Sequence, residues 1–179
     1  MSIIFCAIDP SITCTGLSTL RRCDDGKFDL IDKTSISTKT TRFATRWDKK
    51  LAMHFMFCKW LKPRIDDISF CVFENYSYGS PGQLADLGEL NGLYRKYLSD
   101  NGKPVDVIAP ASVKKIVGGH GRASKSEVAS GVLTFLNDSE LIKFSNRDES
   151  DSVAVGVAYA ISMMALAEAE EVNNEQKQD

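Results

Sequence analysis

Ile3-Ile4-Phe5-Cys6-Ala7-Ile8-Asp9-Pro10 is a short, unbroken apolar run that stops on an acid and a proline. A run of this length, without the three-to-four periodicity of a helix, reads as a buried strand. Asp9 therefore stands at the end of a core strand, where packing alone gives no reason for an acid. Outward from there, residues 15–21 and 28–35 read as strands flanking Asp24-Asp25-Gly26, a hairpin signal. Residues 41–61 read as a helix whose apolar face is marked by Phe43, Trp47, Leu51, Phe55, Cys58 and Leu61, with Pro63 as its stop. Residues 68–73 form a fourth apolar strand, and 105–108 a fifth, closed by Pro110. Residues 83–98, 124–137 and 148–168 read as further helices, the first ended by Asn101-Gly102. Strands that lead and then alternate with helices specify an α/β fold. The expectation is one mixed five-stranded sheet flanked by helices, its first three strands antiparallel and its last two parallel to the first. No repeat or internal linker interrupts it. One domain is expected over residues 1–170, with a polar tail, 171–179, that reads as disordered.

Composition narrows the class. The 43% hydrophobic content of the 179 residues supplies a sizeable core, and 26% charged residues is ordinary for a globular domain. No apolar run approaches the roughly 18 residues of a membrane span. The opening run lacks the cationic flank of a signal peptide. The expected compartment is the cytoplasm, a host's if a phage encodes the chain. Cys6, Cys14, Cys23, Cys58 and Cys71 are odd in number and show no C-x-x-C spacing, which argues against a disulfide framework or a zinc site. The net charge of −2 speaks weakly against a nucleic-acid partner, but its distribution says more. Basic residues gather at Lys39, Arg42, Arg46, Lys49, Lys50, Lys59, Lys62 and Arg64, and again at Lys114, Lys115, Arg122 and Lys125. Such clusters permit a polyanionic partner without requiring one.

The acids carry the chemistry. Asp9 ends the first strand and Glu74 the fourth, while Asp148 and Asp151 open the last helix three residues apart, on one face. Singly, each has an ordinary structural explanation: an Asp before Pro starts turns, acids favour helix N-termini, and Asn146 with Glu149 fits a capping box. Jointly, they converge if strands one and four are neighbours. Ligand sites of open α/β sheets favour the carboxyl edge. Clustered carboxylates repel one another unless a cation joins them. All-oxygen ligands match Mg²⁺, with Mn²⁺ as a substitute. Two such ions roughly 4 Å apart suit phosphodiester hydrolysis.

The pattern resembles the RuvC Holliday junction resolvases in four blocks that follow in order. Asp9-Pro10-Ser11-Ile12-Thr13-Cys14-Thr15-Gly16 is similar to the family's opening Asp-Pro and Thr-Gly motif, with Ser11 where a glycine is usual. Glu74, followed by a loop and Leu87-Gly88-Glu89-Leu90-Asn91-Gly92, matches the strand-four glutamate and its helix. The stretch from Ala109-Pro110 through Val113-Lys114 and Gly119-His120-Gly121 to Lys125-Ser126 resembles a third block, and Asp148-Glu149-Ser150-Asp151 the closing helix. The resemblance runs from about residue 3 to 165. It implies an RNase H-like fold, a homodimer with the 83–98 helix contributing to its face, and paired symmetric nicks across a four-way DNA junction. It also implies catalytic and metal-binding roles for Asp9, Glu74, Asp148 and Asp151, with Lys125 catalytic beside them. DNA contacts are implied for Lys114, Lys115, Arg122 and Lys125, with Tyr76 or Tyr78 in the place of an aromatic wedge. No small-molecule cofactor and no membrane partner are expected. Competing readings are a broader nuclease for flaps, forks and Y-junctions, a junction-binding protein without chemistry, and, lowest, an actin-like ATPase or sugar kinase. The last would need a second phosphate loop that the sequence does not display.

Overall fold

The structure is a computed structural model and describes residues 3–75 and 81–175. Its strands are β1 (Ile4–Asp9), β2 (Cys14–Arg22), β3 (Phe28–Ser37), β4 (Phe70–Glu74) and β5 (Val105–Ile108). They form one five-stranded sheet in the order β3-β2-β1-β4-β5. β1–β2 and β2–β3 pair antiparallel, while β1–β4 and β4–β5 pair parallel, as the sequence leads one to expect. The β2–β3 turn closes where Asp24-Asp25-Gly26 signals it. Gly26 takes φ +82, and Asp25 Oδ1 accepts from the Lys27 N–H at 2.9 Å.

The helices are α1 (Arg46–Leu61), α2 (Pro81–Asp100), α3 (Pro110–Val117), α4 (Lys125–Leu133) and α5 (Arg147–Glu175). They divide between the faces of the sheet. α1 and α2 cover one, where Cys6, Ile8, Leu17, Cys71 and Phe73 meet Met53, Phe57, Leu61, Leu90, Tyr94 and Leu98. α3, α4 and α5 cover the other, where Phe5, Ala7, Leu20 and Val72 meet Val113, Val128, Val132 and the Val153–Ala160 stretch. The alternation along β1 and β4 assigns each strand residue its layer.

Sequence and structure part company at several elements. α1 starts at Arg46, where Thr45 and Asp48 form a reciprocal cap, and not at 41. α1 ends at Leu61 ahead of Pro63, as expected, but the chain goes on in a 3-10 segment, Lys62–Asp67, whose first turn holds Pro63 where a missing N–H costs nothing. The stripe assigned to α1's apolar face is largely outside: Trp47, Leu51 and Phe55 are 47%, 40% and 68% exposed. Met53, Phe57 and Leu61 form the inward stripe, with Lys50 buried beside them. Lys50 can be buried because its ammonium pairs with Asp86 (2.9 Å) and Glu89 on α2. α3 had no sequence forecast, and α4 stops at Leu133, short of the expected 137. α5 runs to Glu175, so residues 171–175 continue a helix where disorder was expected.

Residues 147–168 of α5 are apolar enough to pass for a membrane span by length and composition. Their place in the fold supplies another reason. Val153, Ala154, Val155, Val157 and Ala158 are all buried, held between the sheet on one side and α3 and α4 on the other. Contact with β1 and β2 depends on Gly156, where an added Cβ would lie 2.4 Å from Leu20 Cδ1 and 2.9 Å from Ala7 Cβ. We expect Gly156→Val to overpack this seam and cost about 1–3 kcal/mol of stability. Thermal melting reads the loss directly, and an unchanged melting temperature would show that the seam has slack.

Candidate active site

β1 and β4 run side by side and end together, their last paired residues being Ile8 and Phe73. Ile8 and Phe73 point into the α1/α2 layer. The next residues, Asp9 and Glu74, therefore turn to the opposite face, toward α5. Two carboxylates thus leave neighbouring strands at one edge and on one side.

α5 brings the other acids. Its first turn lies flush on β2 because Gly16 has no side chain: an added Cβ would come within 1.9 Å of the Asp148 carbonyl oxygen. Two polar ties hold the same turn to β3. Lys33 Nζ pairs with Glu149 Oε2 at 2.5 Å, and Asn146 Nδ2 donates to Ser35 Oγ at 2.7 Å. Only half of the expected capping box forms. Asn146 Oδ1 accepts the Glu149 N–H at 3.1 Å, but the Glu149 carboxylate takes the Ser145 N–H (2.8 Å) and Lys33. A charge-assisted bond outcompetes the return to the cap backbone. Burial alone would raise the Glu149 carboxyl; the hydrogen bonds from Lys33 and Ser145 outweigh it and hold that group below its ordinary value. Glu149 thus serves as an anchor, and Asp151 is left to reach the strand edge.

The result is a cleft of about 270 Å³ lined by Asp9, Glu74, Asp151, Lys114 and Lys125, with Pro110, Val113, Val128 and Ala154 as apolar walls. Lys125 opens α4, behind a Ser124–Glu127 capping box, and its Nζ sits 2.7 Å from Asp151 Oδ2. Lys114 comes from the last turn of α3. Burial, then the charges of Glu74 and Asp151, pushes the Asp9 carboxyl well above its usual range, with Lys125 opposing. Glu74 is raised by burial and by Asp151, while a hydrogen bond with Asp9 and the charges of Lys125 and Lys114 pull the other way. Among the residues that line the cleft, three acids face two lysines.

Asp148 is not among the cleft-lining residues; it adds its charge to Asp9 and stands beside Cys14, whose thiol it raises together with burial. Lys115 and Arg122 are exposed outside the lining, Arg122 in the α3–α4 loop. Tyr76 and Tyr78 lie outside the described residues. Among the described residues, no three Asp, Glu, His or Cys side chains stand close enough together to enclose an ion as they lie. The donor chemistry nevertheless fits a hard divalent cation: the acids offer carboxylate oxygens, they are half-buried, and the raised Asp9 and Glu74 mark groups whose ionised form a cation would stabilise.

The Lys33–Glu149 and Asn146–Ser35 ties escaped sequence reading because they join residues more than a hundred positions apart. α3 did have a local signal: Pro110 at its first turn and Gly118 as its cap bracket it.

Comparison with known proteins agrees with this architecture. The family described as "Crossover junction endodeoxyribonuclease RuvC" matches residues 5–159. A RuvC of Thermotoga petrophila is 33% identical over 79 residues, 44% of this chain and 47% of that protein. The match thus spans about half the length of that relative. A RuvC of Caldicellulosiruptor saccharolyticus is 24% identical over 160 residues, covering 89% of this chain and 93% of the relative. Among solved structures, "T. thermophilus RuvC in complex with Holliday junction substrate" superposes with a TM-score of 0.73 at 24% identity, over 88% of this chain and 93% of that one. That likeness is one of fold, and it makes the sheet and its helices RNase H-like. With a family match over nearly the whole sheet and all the helices that line the cleft, the chain belongs to the RuvC family of crossover junction endodeoxyribonucleases.

Proposed function

We propose that the chain resolves four-way (Holliday) DNA junctions by paired symmetric nicks, as a homodimer with one cleft per protomer. The observation that carries this reading is the meeting of Asp9, Glu74 and Asp151 with Lys114 and Lys125 in one cleft at the sheet's carboxyl edge. Family membership supports it, as does the Holliday junction substrate in the related T. thermophilus structure. Asp9, Glu74, Asp148 and Asp151 are the residues that would hold two Mg²⁺ or Mn²⁺ ions. When bound, such ions supply water activation and stabilisation of the leaving oxygen. Lys125, paired with Asp151, keeps a positive charge at the mouth, where charge builds on the phosphorus oxygens. Lys114 offers a second point charge for the phosphate, and exposed Lys115 and Arg122 continue that surface along the backbone. The uncompensated acids oppose a role in binding alone, because bare carboxylates repel a polyanion.

The homodimer is supported by the apolar residues that the fold leaves outside. α2 buries Leu90, Tyr94 and Leu98 but leaves Leu84 and Leu93 only partly covered, and the neighbouring α1 exposes Trp47, Leu51 and Phe55. An exposed aromatic and leucine stripe of this kind suits an interface between copies. Charging it with Leu51→Glu and Phe55→Glu is expected to give a monomer in sedimentation and to break the pairing of nicks while single nicks persist. Retention of a dimer would move the interface elsewhere.

Asp9→Asn is expected to lower cleavage of a synthetic four-way junction by about 100-fold or more, since a metal ligand supports several kcal/mol of transition-state stabilisation. Junction affinity should remain. Cutting of flaps and forks at rates comparable to junctions would favour the broader nuclease; normal cutting by the variant would remove Asp9 from the site.

The same variant tests the electrostatics without turnover. A carboxyl whose folded pKa lies above its unfolded one costs the fold stability as pH rises from the unfolded value toward the folded one. Asp9 is such a group. At neutral pH in a chelator, Asp9→Asn is therefore expected to melt higher than the wild type. Mg²⁺ should raise the wild-type melting temperature more than that of the variant.

A further inference from the structure

On the other side of the sheet edge lies a second hollow, of about 260 Å³, lined by Pro10, Ser11, Ile12, Thr13, Gln83 and Leu87. Asp9 faces α5, whereas the following loop folds toward α2, with Ile12 packed against the α1/α2 core. Asp9 lines the cleft and the next residue, Pro10, lines this hollow, so both adjoin the end of β1. We infer that the hollow is a subsite for one nucleobase beside the cleaved phosphate, and that Gln83 reads its edge. This rests on the junction-cleaving function proposed above and adds to it a determinant of sequence preference.

Three observations carry the inference. First, the walls have the composition a base requires. Pro10, Ile12 and Leu87 offer apolar surface for the ring faces, and Ser11, Thr13 and Gln83 offer polar groups at the rim. Sequence-specific contacts to bases combine these two elements.

Second, the loop is fastened before any ligand arrives. Thr15 Oγ1 donates to the Ser11 carbonyl at 2.9 Å and accepts the Ser11 N–H at 3.1 Å. The Thr13 carbonyl accepts the Thr38 N–H at 3.1 Å and the Ser37 hydroxyl at 3.2 Å. Ser11 Oγ accepts the Thr13 N–H at 3.3 Å. A wall tied at each step costs little ordering entropy on binding.

Third, Gln83 has no hydrogen-bond partner among the described residues, although it stands on the rim in the first turns of α2. Its amide presents a donor and an acceptor together, the pattern that reads adenine in a bidentate pair. Ser11 sharpens the case. Its hydroxyl adds a polar group to the hollow.

The test uses the full-length protein and four-way junctions that carry each of the four bases at each position flanking the nick. Wild-type cleavage is expected to favour one base at one flanking position. Gln83→Ala should reduce that preference, the ratio of best to worst cleavage rate, by about tenfold or more, while the rate on the worst base changes little. Leu87→Trp, which fills the hollow, should flatten the preference as well. A second readout needs no turnover: a junction bearing 8-azidoadenine next to the nick is irradiated with Asp9→Asn protein in chelator, and the crosslinked peptide is identified by mass spectrometry. Crosslinks within residues 10–13 or 83–87 support the subsite. Crosslinks confined elsewhere, or a base preference unchanged in both Gln83→Ala and Leu87→Trp, overturn it. If wild-type protein cuts no junction, the resolvase reading falls, and the crosslink alone still decides whether a base occupies this hollow.

Discussion

A helix can lie flush against a sheet only where the sheet and the helix leave room for each other's backbones. In this protein that room is made at Gly16 on β2 and Gly156 on α5, each of which faces atoms closer than any Cβ tolerates. The rest of the site follows from that contact. With α5 seated, its first turn falls over the ends of β1 and β4, and Asp151 enters the space that Asp9 and Glu74 already face. Lys33 and Ser35 then fix the rotation of that turn from the outer strand, so Glu149 is consumed as an anchor and its acidic neighbours are not. Backbone proximity sets the distance, and the polar ties set the angle.

This arrangement has an energetic cost that the fold does not recover internally. Asp9 and Glu74 are drawn partly out of water, Glu74 and Asp151 raise Asp9 further, Asp151 raises Glu74, and Lys125 and Lys114 oppose these shifts. A protein selected for stability alone would place apolar residues there, because a buried ion cluster is rarely better than packed hydrocarbon. Strain of this kind gathers at functional sites. The apolar walls from Val113, Val128 and Ala154 intensify it by keeping the local dielectric low. The same low dielectric strengthens the attraction for a divalent cation, so the penalty in the free protein and the affinity for metal have one origin.

The sheet was legible in the sequence because each strand announced itself locally: apolar runs at 3–8 and 68–73, and a turn at Asp24-Asp25-Gly26. The acids at strand ends were legible for a related reason, since an acid that closes an apolar run breaks the burial pattern. α1 was misread in its facing, because it carries two apolar stripes and periodicity cannot say which one meets the sheet. The buried Lys50 made the true inner stripe look polar, and only its partners on α2 explain its place. α3 was passed over because a helix as short as Pro110–Val117 offers little periodic signal; its Pro and Gly brackets were the better guide. The anchors at Lys33 and Ser35 could not be read at all. A Lys in an edge strand looks solvated until the fold brings Glu149 to it.

Pro10 gathers these threads at one position. It has no N–H to extend the ladder beyond Asp9, so β1 must stop there, and the chain leaves the sheet on the α2 side. Stopping the strand exposes the Asp9 carboxylate on one face, and turning the chain builds the Pro10–Thr13 wall on the other. The end of β1 therefore shapes the cleft and the hollow together. A substitution that lengthened β1 would carry Asp9 back into the ladder and dismantle the wall in the same step, whereas changes at Gln83 or Leu87, one helix away, can reshape the hollow and leave the acids where they are. A scaffold with this separation can hold its acids fixed while the α2 residues that line the neighbouring hollow change.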